Sequence, residues 1–292
     1  MGIRMTRQDL AVLIFYFLGY SRYGSFLYKH RKTPVARFLA FHDILPEKVK
    51  QFDENMYLLK SRTNVISLDQ FFKGNLSNKK INTVITFDDG YKSWVTQAVP
   101  VLKKYELPAA FFICSGYLGL DKGEQAEFNR SNLFKTLGPR KTSPCLERSD
   151  VKKLADEGYT IGGHTINHIN LAGEKAREII RHEICDDKTM LESIVGYKLK
   201  YFSYPFGEAE NSEIDISRIL RESGYKAAFT ANGGFNHSFT DPYLLHRDLV
   251  KADMNSILFL ARVFGNVDAV YYTKRLLRRV FFRADSGLYK NL

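Results

Sequence analysis

Cysteine is scarce in this 292-residue chain. Cys114, Cys145 and Cys185 are odd in number and form no CxxC pair. That fits a reducing compartment or simple core thiols better than a disulfide framework. Tryptophan is rarer still, with Trp94 alone. Apolar runs are short: Leu10–Ser21 is uncharged for twelve residues, where a helix crossing a bilayer needs about 20. Low-complexity stretches and internal repeats are also missing, which excludes solenoids and disordered tracts. Against these absences stand 45% hydrophobic and 14% aromatic residues, enough for one large α/β domain with extensions or for two small domains.

Acidic residues are short in supply at the two ends only. Residues 1–33 carry Arg4, Arg7, Arg22, Lys29, Arg31 and Lys32 against Asp9, and residues 272–292 carry Lys274, Arg275, Arg278, Arg279, Arg283 and Lys290 against Asp285. Of the net charge of +11, the 238 residues between them hold only +1. Both ends are apolar as well as basic, and in "TKRLLRRVFFR" the cations recur at i, i+4 beside Leu276, Leu277, Val280 and Phe281. This pattern suits a helix lying in an anionic membrane interface; the plainer alternative is a pair of solvated basic faces packed on the domain. Asp9 in the charged leader and the missing small-residue cleavage site argue against a signal peptide. The expectation is a cytoplasmic protein, peripheral at the inner face of the membrane. Nucleic acid is not expected as a partner, because no recognition motif accompanies the charge.

Between the ends, strands alternate with helices. Residues 35–44, 81–87, 109–116, 159–165, 200–207 and 226–231 read as strands; 47–60, 91–105, 149–156, 174–194 and 213–223 read as helices. Ser149 reads as the N-cap of its helix. Residues 117–146 and 232–245 read as irregular loops. The alternation predicts a parallel sheet. The polar residues His42, Asp43, Asp88, Asp89, His164 and the Tyr204–Pro205–Phe206 turn fall at strand carboxyl ends, which share one rim in a barrel.

Two of these rim segments carry chemistry. His164 and His168 stand at i, i+4 in "GGHTINH", and with a carboxylate they would complete a three-ligand divalent metal site. Asp88 and Asp89 stand adjacent in "TFDDG", where a cation would relieve their repulsion, one binding it and the other serving as a base. Asp186-Asp187 is the same dipeptide inside a polar helical run and reads as a solvated face. His30, His182 and His237 read as surface residues.

"TFDDG" (86–90), "HTINH" (164–168), "YPFG" (204–207) and "LLH" (244–246), in this order, resemble the motifs of the polysaccharide deacetylases, the fourth carbohydrate esterase family, and "FLAFHDI" resembles their opening strand. The resemblance covers residues 36–250. It implies a distorted, seven-stranded (β/α) barrel at 34–250, with amphipathic extensions at 1–33 and 251–292. Asp88 would be the general base, Asp89, His164 and His168 the metal ligands, the Phe206 N–H an oxyanion donor and His246 the general acid, with His42, Tyr204 and Pro205 lining the substrate. Zn2+ is the expected metal, with Co2+, Ni2+ and Mn2+ as alternatives. Two departures stand out. Many members have an arginine before "YPFG" that contacts the base, where this chain has Phe202 and Ser203. The aspartate–tryptophan motif is also missing, which leaves Asp248 and Asp241 as candidates to orient His246.

The function implied is removal of an acetyl group from an N-acetylated amino sugar in a glycan, oligosaccharide or lipid-linked precursor. The alternatives are an amidohydrolase on a small non-sugar amide or cyclic ureide, and a non-catalytic glycan- or lipid-binding relative.

Overall fold

Asn82–Asp89 (β3) shows how the sequence builds its layers. Successive strand side chains point to opposite faces, so Ile85 and Phe87 join one core cluster and Val84 another. A computed structural model of the protein describes residues 33–134, 140–209, 213–266 and 268. In it β3 lies between Ala36–Phe41 (β1) and Ala109–Ile113 (β4), both parallel to it, in the order β7-β6-β5-β4-β3-β1-β8. Here β5 is Thr160–Gly163, β6 Tyr201–Ser203, β7 Ala227–Phe229 and β8 Phe235–Asn236. Two short strands complete the sheet: β2 (Asn64–Val65) pairs with β3, and β9 (Asp248–Leu249) with β1.

The sheet curls into the expected distorted barrel of seven strands, with its seam between β7 and β1. Leu245 bridges to Phe229, Thr230 donates its N–H to the Leu245 carbonyl at 2.8 Å, and Val250 donates to Ala40 at 2.9 Å. The segment 245–250 therefore stitches both sides of the seam and carries His246 and Arg247 to the rim.

Helices cover the outer face. Val49–Arg62 (α1) lays Phe52 against Phe41 and Phe87, and the rings of Phe41, Phe87 and Phe111 stack in register across β1, β3 and β4, 5.5 and 4.9 Å apart. Trp94 packs on Phe111 and donates its indole N–H to the His42 carbonyl. Burial of each ring contributes about 1.5–3 kcal/mol. Leu68–Phe72 (α2) and Val99–Lys104 (α3) follow in the first half of the chain.

Residues 117–146, read as irregular from the sequence, contain a helix, Lys122–Phe128 (α4). Asp121 caps it reciprocally with Glu124, a Asp-x-x-Glu capping-box signal that lay in the sequence. The N-cap of Arg148–Asp156 (α5) is Glu147, whose backbone N–H donates to the Asp150 carboxylate at 2.8 Å, and not Ser149. Arg177–Val195 (α6), Ile216–Glu222 (α7) and Ser256–Val263 (α8) complete the layer, and α8 packs against α1. The basic, apolar ends proposed to lie on a membrane, 1–33 and 272–292, lie outside the described residues but for Thr33. Among the described residues no helix is long and apolar enough to cross a membrane.

Candidate active site

Adjacency of Asp88 and Asp89 is resolved by strand alternation. Each carboxylate meets its own set of positive or neutral partners. Asp88 continues the column of Val84 and Thr86, while Asp89 leaves the strand with φ 94° and faces the histidines. The Asp89 carboxylate lies 3.5 Å from Nε2 of both His164 and His168. One ligand atom from each of the three residues falls within 4.8 Å of the other two, and all three residues are buried.

The histidine tautomers fit a metal. His164 Nδ1 is 2.7 Å from the Ser203 carbonyl, and His168 Nδ1 is 3.3 Å from the Asn132 carbonyl. A carbonyl only accepts, so each Nδ1 carries the proton and each Nε2 lone pair points into the cluster, the usual outer support of a metal-bound imidazole. Burial disfavours a charge on both rings. For His164, the Asp89 and Asp88 carboxylates outweigh burial and raise the pKa; His168 stays lowered, to about 4. Burial opposes ionisation of Asp89 too, but the histidine partners bring its pKa far below the usual carboxylate range. With their Nε2 atoms deprotonated, as ligation requires, two imidazoles and an ionised carboxylate would make a sound donor set for a divalent cation.

Asp88 is held by a residue that sequence reasoning missed. Arg247 is buried and grips it with two hydrogen bonds, Nη1 to Oδ1 at 2.8 Å and Nη2 to Oδ2 at 2.7 Å. The same guanidinium donates to Ser203 Oγ at 2.7 Å and to the Thr230 carbonyl at 3.0 Å. Ser203 Oγ in turn lies 3.2 Å from Asp88. Burial would raise the Asp88 pKa, yet Arg247 and then His164 carry it below the usual value. The arginine missing before "YPFG" thus has a counterpart on the other side, beside His246, and Ser203 does contact Asp88. The signal was an arginine set in the mostly apolar segment "LLHRDLV".

The groups proposed to orient His246 do not do so. Asp248 is buried and bonded to Arg37 at 2.6 Å, and Arg37 also pairs with Asp268. Asp241 is exposed and caps the Tyr243 N–H. Asn236 instead holds the His246 backbone on both sides, at 2.8 Å each way, while the buried His246 Nδ1 has no hydrogen-bond partner among the described residues.

At the third motif, Phe206 has φ 59° and its ring, 42% exposed, packs 4.5 Å from His168. Tyr204 is buried with its hydroxyl on the Tyr243 carbonyl at 3.1 Å, and Pro205 is buried, so neither side chain is open to a ligand as expected. His42 is exposed at the rim, close enough that its charge lowers the pKa of both Asp88 and Asp89.

Asp187 overturns the reading of Asp186-Asp187 as a solvated face. Asp186 is exposed and pairs with His182, but Asp187 is fully buried. Its oxygens accept the backbone N–H groups of Ser115 and His164, at 3.0 and 3.1 Å, and burial pushes its pKa up to about 7 against their pull. In α6 the buried positions run 180, 183/184, 187/188, 191 and 195, so Asp187 sits on the apolar stripe.

Among the described residues, five non-glycine residues have positive φ, and four of them (Asp89, Thr165, His168 and Phe206) line this site. Such backbone costs about 1–3 kcal/mol per residue and persists where function needs the geometry.

Three comparisons bear on the site. A Bacillus cereus peptidoglycan-N-acetylglucosamine deacetylase is 29% identical over 46% of this chain and 40% of its own length. A Staphylococcus aureus poly-beta-1,6-N-acetyl-D-glucosamine N-deacetylase is 23% identical over 70% of this chain and 67% of its own. The solved structure of the Streptococcus pyogenes deacetylase PplD in complex with acetate superposes with a TM-score of 0.63 at 19% identity, covering 80% of this chain and 99% of that one, a likeness of fold. The chain spans about half the length of the curated relatives it matches, 55% and 40% for two from Bacillus subtilis and Bacillus cereus. The family model described as polysaccharide deacetylase matches residues 75–228, more than half of the chain, and the chain belongs to that family.

Proposed function

We propose that the chain is a metal-dependent hydrolase that removes the acetyl group from an N-acetylated amino sugar of a glycan. The observation that carries the reading is the pairing, at one rim, of an Asp89–His164–His168 donor set with an ionised Asp88 locked by Arg247. Asp89, His164 and His168 would hold the divalent cation, zinc before cobalt, nickel or manganese given two imidazoles and one carboxylate. When bound, such an ion acts as a Lewis acid and makes water acidic near neutral pH.

The protein's own groups supply the rest. Asp88 accepts the proton of the attacking water as its oxygen bonds to the acetyl carbonyl carbon. The Phe206 N–H stabilises the oxyanion that forms as the carbonyl π bond breaks. His246 gives a proton to the sugar nitrogen as the C–N bond breaks, releasing acetate and a free amine. The exposed Phe206 ring and His42 flank the rim, and an aromatic face suits the apolar face of a sugar ring. The relatives that act on peptidoglycan or poly-N-acetylglucosamine support this substrate class. The basic, apolar ends would hold the chain against anionic lipid near lipid-linked glycans; flotation with anionic but not neutral liposomes tests that part, and no flotation rejects it.

Acetate release from peptidoglycan, poly-β-1,6-N-acetylglucosamine and chitooligosaccharides, before and after chelation and metal return, tests the main reading. Turnover of ring amides without acetate release from any glycan would overturn it.

A further inference from the structure

The loop that carries the two candidate metal-binding histidines is strained and short of strand partners. Thr165 and His168 have φ of 66° and 50°, so the β5 ladder ends at the His164 N–H, which reaches the Ile113 carbonyl at 3.1 Å. Two acids of α6, one helical turn apart, hold N–H groups at and beyond that point, the His164 N–H being shared with the Ile113 carbonyl. Asp187 Oδ2 accepts the His164 N–H at 3.1 Å and Oδ1 accepts the Ser115 N–H at 3.0 Å. Glu183 Oε2 accepts the Asn167 N–H at 2.8 Å and Oε1 accepts Asn167 Nδ2 at 2.7 Å. Both acids are buried, at 3% exposure for Glu183 and 0% for Asp187, and neither is paired with a cation by a salt bridge of the described residues.

The sequence around them is shaped to admit them. A Cβ at Gly163 would lie 2.7 Å from Asp187 Oδ2 and on top of the Tyr225 hydroxyl, so the glycine before His164 makes room for the carboxylate. Burying two carboxylates is costly unless hydrogen bonds satisfy them, and helix α6 could have met β5 with leucine at both places. The four hydrogen bonds all end on the segment from Ser115 and on 164–167, next to the ligands.

We propose that Glu183 and Asp187 are positioning residues for the metal centre: a two-carboxylate clamp on α6 that fixes the backbone at His164 and Asn167 and so holds the imidazoles in ligating geometry before a cation arrives. This rests on the reading of Asp89, His164 and His168 as a metal site. The clamp differs from the support already seen at the ring Nδ1 atoms, because it acts on the main chain, where the left-handed residues would otherwise relax.

The test is zinc affinity of the metal-stripped full chain, measured by competition with a chromogenic chelator, alongside its melting temperature. Glu183→Ala is expected to weaken zinc binding about tenfold or more, the usual effect of losing an outer partner of a ligand. Glu183→Gln is expected to stay within about threefold of the parent, because its amide oxygen still accepts the Asn167 N–H and its NH2 can meet a flipped Asn167. Asp186→Ala, exposed on the same helix, is expected to change neither readout. Asn167→Ala removes one contact from the loop side and leaves α6 intact, so the outcome does not depend on Glu183→Ala folding; it is expected to weaken zinc several-fold. A lower melting temperature with unchanged zinc affinity in Glu183→Ala or Asn167→Ala overturns the clamp alone. A parent chain that takes up no divalent metal overturns the metal-site reading and the clamp with it.

Discussion

Replacing Arg247 by methionine removes the counter-charge of Asp88 while filling most of its volume. The two charges touch through hydrogen bonds of 2.7 and 2.8 Å in a buried setting. Charge centres about 4 Å apart at an effective dielectric of about 20 interact by about 4 kcal/mol, equivalent to about three pK units. Ser203 Oγ remains beside the carboxylate as a hydrogen-bond donor, so a rise of about one to three units is expected for Asp88. In the parent protein the Asp88 pKa lies below its usual value, so its ionised form stabilises the fold above about pH 4, and that contribution is lost as the pH falls through the lower, folded-state pKa. In Arg247→Met the order reverses. The lone buried carboxylate destabilises the fold above its raised pKa, and protonation relieves it as the pH falls. Breaking a buried pair costs about 3–5 kcal/mol at neutral pH, and the melting deficit against the parent should shrink toward acidic pH. If Asp88 is the base, the acid limb of kcat/KM for acetate release moves up by the same one to three units or so. Arg247→Lys should fall between, keeping a charge but losing the fork. An acid limb in Arg247→Met that stays within about half a unit of the parent would refute the assignment of Asp88 as a base tuned by Arg247.

The other predictions concern neighbouring residues. Asp88→Asn should keep its metal by elemental analysis yet lose turnover by about a hundredfold or more, whereas His164→Ala should lose the metal; full activity in Asp88→Asn would reassign the base. Asp248→Asn should lower the melting temperature, because it weakens the buried contact with Arg37, but leave the pH profile unmoved; a shifted profile would return Asp248 to the role of orienting His246. Gly207→Ala should destabilise by about 1–3 kcal/mol or more, since its φ is 71° and a Cβ would overlap Ala231; a denaturant midpoint equal to the parent's would show that the Phe206 turn is adaptable.

Local chemistry in the sequence went far toward the site. "TFDDG" and "HTINH" each sit where a β-prone run ends, so alternation and turn chemistry alone put Asp88, Asp89 and His164 at strand ends of a parallel sheet, with His168 four residues on from His164. The strand–helix order also carried the barrel, because a βαβ unit is built from near neighbours in the chain. Loop readings failed where a short capping signal went unread, as at Asp121 and Glu124 ahead of α4.

Two decisions belong to the tertiary structure. Which cation faces Asp88 depends on a contact between residues 159 apart in the chain, made because the segment 245–250 closes the seam between β7 and β1 and delivers Arg247 inward. No periodicity in one segment encodes what another segment brings to it. The fate of the two Asp-Asp pairs was decided in the same way. Asp186-Asp187 looked solvated because its neighbours are polar, yet its second member falls on the stripe of α6 that packs on the sheet, below a glycine that leaves room for it. The sequence determined which residue types stand at the strand ends. Only the fold decided which charges they meet, since burial and partner are properties of the packed chain.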